Sequence, residues 1–296
     1  MSSTTAPGMA ATARDLLALA KPNVTMLVLI TTAGGLWLAP GRIGWSALFA
    51  TLAGTVLVVA AANTLNCWWE RESDQHMART RNRPLPAGRM KPAVALALGL
   101  GLALVSVPLL TALVNPLTGL LAAIALVSYV LVYTPMKQIS PHAVIIGSIP
   151  GAMPPLMGWT AVTGSLDVPG LVLFSVLFIW QIPHFIAISL YRQQEYARAG
   201  IRTVPEVYGV HSAHWQLLGW SILLVPVSLA LVPLGVAGRV YLGLAAVLGA
   251  GLLVLAARGL RTDKPVAWAR NYFLYTLAYL TLLFAALLVD AGPVHG

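Results

Sequence analysis

Nine apolar runs, each long enough to cross a bilayer, follow one another along this chain and leave little sequence for anything else. They run from Val24 to Pro40, Trp45 to Asn66, Ala93 to Val114, Leu117 to Tyr133, His142 to Val162, Val168 to Leu190, Trp215 to Leu234, Val240 to Ala257 and Trp268 to Val289. A hydrocarbon core about 30 Å thick takes about 20 helical residues. With 58% hydrophobic and 9% charged residues and a mean hydropathy of +0.80, the chain exceeds what a soluble core of this length requires. The expected fold is all-α and integral to the membrane, with nine transmembrane helices.

Basic residues orient that array. With the N-terminus in the cytoplasm, 16 of the 18 Lys and Arg fall on the cytoplasmic side and only Arg42 and Arg239 face outward. The positive-inside rule supports this count and direction, so the +9 charge reads as topology and not as nucleic-acid binding. Residues 1–20 read as a short disordered cytoplasmic tail with no cleaved signal, and residues 21–290 as one transmembrane domain. The single cysteine, Cys67, reads as a small packing residue.

Acidic residues gather where topology does not call for them. Five of the nine, Glu70, Glu72, Asp74, Glu195 and Glu206, sit in the two longest cytoplasmic connections, about 68–92 and 191–214. On an unbroken helix Asn63, Asn66, Glu70 and Asp74 fall within roughly 80° of one another. Asn66 and Asp74 are then about 12 Å apart along the axis. Glu72 points about 160° away and reads as an ion-pair partner or a solvent-facing residue. Two carboxylates and two amide oxygens suit a hard cation that keeps water and bridges to phosphate. Arg79, Arg81 and Arg83 follow, with forked donors matched to phosphate oxygens. Lys137, in the turn Tyr133-Thr134-Pro135, reads as a membrane anchor within reach of a phosphate.

The second connection repeats the theme less sharply. Gln181, His184, Arg192 and Glu195 would share one face if a helix ran through Pro183, and Tyr196 lies beside them. For His184 two readings stay open, an interhelical packing residue or a ligand and proton carrier. Gly147, Pro150, Gly151, Pro154, Pro155 and Gly158 imply close packing and a bend in the fifth run, and bent helices leave a central cavity.

These segments carry a family resemblance. Asn66-xxx-Glu70-xxx-Asp74-xx-Met77-x-Arg79-Thr80-xx-Arg83-Pro84-Leu85, Tyr133-Thr134-Pro135-x-Lys137 and Trp180-Gln181-x-Pro183-His184-Phe185 with Glu195-Tyr196-xx-Ala199-Gly200 resemble the protoheme IX farnesyltransferases, or heme O synthases. These form a branch of the intramembrane aromatic prenyltransferase superfamily. The resemblance runs from Lys21-Pro22 to the last helix. It implies nine helices around a central cavity opening to the cytoplasmic side of a bacterial inner membrane. Farnesyl diphosphate and heme B are the implied substrates, Mg²⁺ the cofactor, and a heme A synthase or terminal oxidase the downstream user of the product.

Carried over by position, Asn66, Glu70 and Asp74 hold the metal, and Arg79, Arg83 and Lys137 meet the diphosphate. Asn63, Gln181, His184, Arg192, Glu195 and Tyr196 become substrate contacts, with His184 a candidate heme ligand. Three positions depart from the common pattern: Glu70 and Glu195 stand where Asp is usual, and Gln138 where a second basic residue is common. Trp69, Tyr129, Tyr133, Trp159 and Trp180 are candidate aromatic faces for an allylic cation. Rival readings are a prenyltransferase for a quinone precursor or lipid, and an ion-coupled transporter. Transporter sites lie near the bilayer centre in broken helices, whereas these carboxylates sit at helix ends.

Overall fold

The computed structural model describes residues 9–77 and 79–291, with side chains described from residue 13 onward. Twelve helices are placed: α1 (Met9–Leu19), α2 (Pro22–Leu38), α3 (Trp45–Trp69), α4 (Pro92–Leu113), α5 (Pro116–Val127), α6 (Thr134–Met136), α7 (Ala143–Thr163), α8 (Val168–Tyr191), α9 (Gln193–Arg198), α10 (Val204–Leu229), α11 (Arg239–Gly259) and α12 (Pro265–Val289). Among the described residues no strand forms beyond an isolated bridge between Ala237 and Ala291. Proline at the first or second position opens α2, α4, α5, α6, α8, α10 and α12, where its missing N–H costs nothing.

Each apolar run of the sequence lies on a helix, but the helices differ in how well they suit lipid. Six are long and apolar enough to cross a membrane: α3, α4, α5 continuing into α6, α8, α11 and α12. Seven are reached if α1 and α2, bent by 51° across a short break, count as one span. α2 is only 17 residues long. α7 carries three internal prolines, and α10 has a polar first half with His211, His214 and Gln216. The expected tail is corrected in part: residues 9–19 form α1, which seats Leu19 and Leu16 beside Cys67, Leu85 and Met90. Residues 1–8 lie outside the described residues.

The long helices surround a central space. α3 packs on α4, α4 on α5, α5 on α7, α7 on α8, and α8 on α10 and α12, while α2 lies against α7, α3 and α12. Large apolar side chains such as Leu104, Leu131, Val240 and Val247 cover the outside, as lipid contact requires. Tight seams hold the ring together. A Cβ on Gly35 would fall onto the Pro155 carbonyl, and one on Gly158 onto the Thr32 carbonyl, so α2 and α7 meet backbone to backbone. Between α5 and α6 the helix widens into a π stretch, Ser128–Tyr133, of the kind that recurs at functional sites.

The seam gives a test. Gly35→Ala and Gly158→Ala are each expected to destabilise the protein by about 1–3 kcal/mol through overpacking. Gly219→Ala, which meets nothing within 4 Å, should not. Thermal melts in detergent check this, and equal melting temperatures for all three variants would show that the seam is loose.

Candidate active site

The site starts where α3 runs out. The helix ends at Trp69, and Asp74 sits on a separate 3-10 turn, Ser73–His76, so the unbroken helix through Asp74 is corrected. The stripe survives because the hydrogen bonding carries on. The Glu70 N–H donates to Asn66 O at 2.9 Å and the Asp74 N–H to Glu70 O at 2.8 Å, the helical i to i−4 pattern continued past the end. Asn63, Asn66, Glu70 and Asp74 are all buried, at 5% exposure or less. Glu72 points away, exposed and paired with Arg71 at 2.9 Å, as its phase implied.

Each oxygen row meets a cation from a different part of the chain. Lys21 Nζ donates to Asn66 Oδ1 at 3.0 Å, and Arg83 to Asp74 Oδ2 at 2.6 Å. Lys137 Nζ lies 2.5 Å from Glu70 Oε1, an ion pair whose alignment leaves that buried oxygen without a hydrogen-bond donor. Asn66 Nδ2 donates to Thr134 Oγ1 at 3.1 Å, which fixes the amide so that its oxygen faces Lys21. Lys21 is the non-glycine residue with positive φ (49°) among the described residues, a strain of about 1–3 kcal/mol. Burial pulls its pKa below the ordinary lysine value, with Arg83 and Lys137 adding to the effect. Lys137 is also buried, but Tyr133 and the Glu70 carboxylate outweigh burial and hold its pKa above the usual value.

These groups close one end of a cavity of about 740 Å³. Arg79, Arg83, Arg192, Tyr196 and Arg202 line it near the polar end, and Val24, Val28, Val58, Val59 and Leu126 form an apolar body. Tyr129 and Tyr133, on the π stretch with ring centroids 5.3 Å apart, also line it, and Lys137 Nζ lies 5.6 Å from the Tyr133 ring centroid. Gln181 lines the cavity from α8.

Two expected contacts fall elsewhere. His184 does not line the cavity: its ring stacks on Trp180 at 4.5 Å and its Nδ1 meets Thr276 Oγ1 of α12 at 2.8 Å. Glu195 is exposed and paired with Arg192 at 3.1 Å, because α8 stops at Tyr191 and α9 starts a new direction. Of the five candidate aromatic faces, Trp159 and Trp180 belong to the packed core and Trp69 is exposed, so only the two tyrosines reach the cavity, where Phe185, Tyr191, Tyr196 and Phe273 join them. The sequence reading missed Lys21 as a site residue; its signal was a Lys-Pro pair opening the first apolar run.

The donor set fits a hard divalent cation. Glu70, Asp74 and the Asn66 oxygen are hard oxygens, and the undirected Glu70 Oε1 has no aligned donor. Among the described residues no three His, Cys, Asp or Glu side chains gather as a metal cluster. A cation held here would therefore complete its coordination with water and a substrate's phosphate oxygens.

A membrane-embedded helical ring with carboxylates and cations at one end of an apolar chamber is the architecture of a membrane prenyltransferase. The UbiA prenyltransferase family pattern matches residues 28–284, and the chain belongs to that family. Protoheme IX farnesyltransferases are among its curated relatives. That of Anaeromyxobacter dehalogenans (strain 2CP-C) is 52% identical over 97% of each chain. That of Myxococcus xanthus (strain DK1622) is 50% identical over 95% of this chain and 96% of that protein. Among solved structures, one described as digeranylgeranylglyceryl phosphate synthase in membranes has a TM-score of 0.83 at 19% identity, covering 94% of this chain and 98% of that one. A UbiA homolog from Archaeoglobus fulgidus bound to GPP and Mg²⁺ has a TM-score of 0.67 at 16% identity, covering 92% of this chain and 99% of that one. At these identities the structural likeness shows the fold.

The Lys137 pair can be tested without substrate. Lys137→Met leaves the Glu70 carboxylate buried without its cation and should lower the melting temperature by several degrees. A Glu70→Gln/Lys137→Met double variant should recover part of that loss, and a melting temperature unchanged in the single variant would show that the pair contributes nothing.

Proposed function

We propose that this chain transfers the farnesyl group of farnesyl diphosphate to a vinyl group of heme B, giving heme O. The observation that carries the reading is similarity at about half identity, over nearly the full length of both chains, to proteins named protoheme IX farnesyltransferase. The cavity is consistent with it in having a polar end for a diphosphate and an apolar body for an isoprenoid and a macrocycle.

The chemistry follows from what lines that polar end. Arg79, Arg83 and Lys137 receive the diphosphate, and Lys21 adds a fourth positive group within the same cavity. Mg²⁺ is assigned to Asn66, Glu70 and Asp74, where it would supply neutralising charge to the leaving diphosphate. As the C1–O bond breaks, the cationic side chains stabilise the departing pyrophosphate. The apolar walls keep bulk water from the allylic cation, and the Tyr129 and Tyr133 rings contribute roughly 0.5–2 kcal/mol each if it lies over their faces. The vinyl group of heme then attacks C1. Arg192 and Tyr196 are assigned to the substrates from the second connection. His184 is assigned to joining α8 and α12 and not to heme.

The protein sits in the bacterial inner membrane, crossing nine times, with the N-terminus and cavity mouth toward the cytoplasm. The 16 inward Lys and Arg support that orientation. Its product passes to an enzyme that modifies heme further or to a terminal oxidase.

Purified protein given farnesyl diphosphate, heme B and Mg²⁺ should yield a farnesylated heme by mass analysis. Prenylation of a hydroxybenzoate acceptor in its place would overturn the assignment. Asp74→Ala should lower turnover at least about 100-fold, in line with loss of an electrostatic stabiliser, while the protein still purifies as a folded species. His184→Ala should leave the heme absorption change on titration intact and lower the melting temperature. A lost spectral change with an intact fold would return His184 to the heme.

A further inference from the structure

We infer that the Gln181 side-chain oxygen holds the water molecule that ends the reaction, and so decides that the product is an alcohol. The inference rests on the proposed transfer of a farnesyl group to a heme vinyl. In that reaction the farnesyl C1–O bond breaks with its electrons going to diphosphate. The vinyl π electrons form the new bond to C1, and the carbon beside the porphyrin ring becomes electron-deficient. That carbon must lose a neighbouring proton, giving an alkene, or take up water, giving an alcohol. Water capture forms a C–O bond and releases one proton, which the departed diphosphate accepts; no oxidant or reductant is involved. Choosing capture over proton loss requires one water held in an otherwise apolar chamber.

Gln181 is built for that task. Its Nε2 donates to Ser148 O at 3.3 Å and to Leu177 O at 3.0 Å, which uses both N–H groups and fixes the orientation of the amide. Among the described residues the amide bonds through Nε2 alone, and its Oε1 lies against Gly151, on the cavity wall. Any side chain at position 151 would displace that oxygen, since a Cβ there would overlap it. One turn along α7, about 6 Å away by helical rise, Gly147 admits the Tyr133 ring in the same manner, with a Cβ position 2.6 Å from Tyr133 Cδ2. An aromatic face suited to a cation and an acceptor suited to a water thus flank one stripe of α7.

Several other polar groups of the lining are engaged within the protein. Ser189 Oγ donates to Ile186 O, Tyr191 Oη accepts from Arg192, and Asn63 Nδ2 donates to Ala20 O. The Tyr129 hydroxyl lies within the field of Lys137, Glu70 and Cys67 at the diphosphate end.

The readout is the ratio of alcohol to alkene in the farnesylated heme, whatever the rate; the alkene is lighter by one water. With farnesyl diphosphate and heme B, wild type should give the alcohol, carrying the label when the reaction is run in ¹⁸O-water. Gln181→Leu should shift the ratio toward alkene at least about tenfold. Gln181→Glu, which keeps an acceptor at the same reach, should stay near wild type. An unchanged ratio in Gln181→Leu, or a ratio in Gln181→Glu as low as that of Leu, overturns the inference. If Gln181→Leu makes no product, Gln181→Met is read in its place. If neither apolar variant turns over while Gln181→Glu does, the residue acts before water capture and the inference fails. A wild type that makes no farnesylated heme overturns the function itself, whereas wild-type farnesylation with an unaltered ratio in the variants overturns this inference alone.

Discussion

A row of buried oxygens balanced by cations from distant segments is the constraint on which this molecule is organised. Carboxylates cannot be buried at the edge of a bilayer without partners. Glu70 and Asp74 are therefore matched by Lys137 and Arg83, and the Asn66 oxygen by Lys21. These three cations enter from the start of α2, the loop after the 3-10 turn and the end of α6. The pairing thus joins four segments at the polar end of the cavity that share no helix. Removing one partner of such a set leaves an uncompensated charge. In the proposed reaction the same cations would have a second use. A divalent ion and a diphosphate would compete with the internal pairs, the ion taking the oxygens and the diphosphate taking the freed ammonium and guanidinium groups.

Small residues and bends supply the space beyond that polar end. Gly35 and Gly158 let α2 and α7 touch through their backbones, which draws the ring tight on one side. On its inner side α7 presents Gly147 and Gly151, so bulk comes from neighbours that lean over it, Tyr133 and Gln181. The π stretch before α6 places Tyr129 and Tyr133 on the cavity wall beside Lys137. The chamber thus joins a polar end rich in cations and tyrosines to aliphatic walls. That arrangement matches a substrate charged at one end and oily along the rest.

The parts of the site readable in advance were those carried by a single stretch of backbone. Asn63, Asn66, Glu70 and Asp74 all line the cavity although α3 ends at Trp69, with the i to i−4 bonds from Glu70 to Asn66 and from Asp74 to Glu70 spanning the break. The second connection shows the complementary limit. A face shared by Gln181, His184, Arg192 and Glu195 needs one continuous helix, but α8 ends at Tyr191, and past that break Glu195 is in solvent while Arg192 and Tyr196 line the cavity. His184 keeps its helix but meets α12, whose Thr276 takes its ring nitrogen. No periodicity within α8 says which neighbour will lie on that side. Lys21 shows the same limit, since a lysine at a helix start looks like any other membrane anchor until its partner is known.

Hydropathy and the distribution of lysine and arginine were enough to establish a helical membrane protein, because lipid forces each segment to satisfy its own backbone. The phase of the oxygen stripe was likewise local, set by 3.6 residues per turn. Which cation faces which oxygen, which aromatic rings reach the chamber and which helix His184 meets are set by contacts across tens of residues. Such contacts depend on how whole helices lean against one another, a property of the assembled ring that no single segment contains.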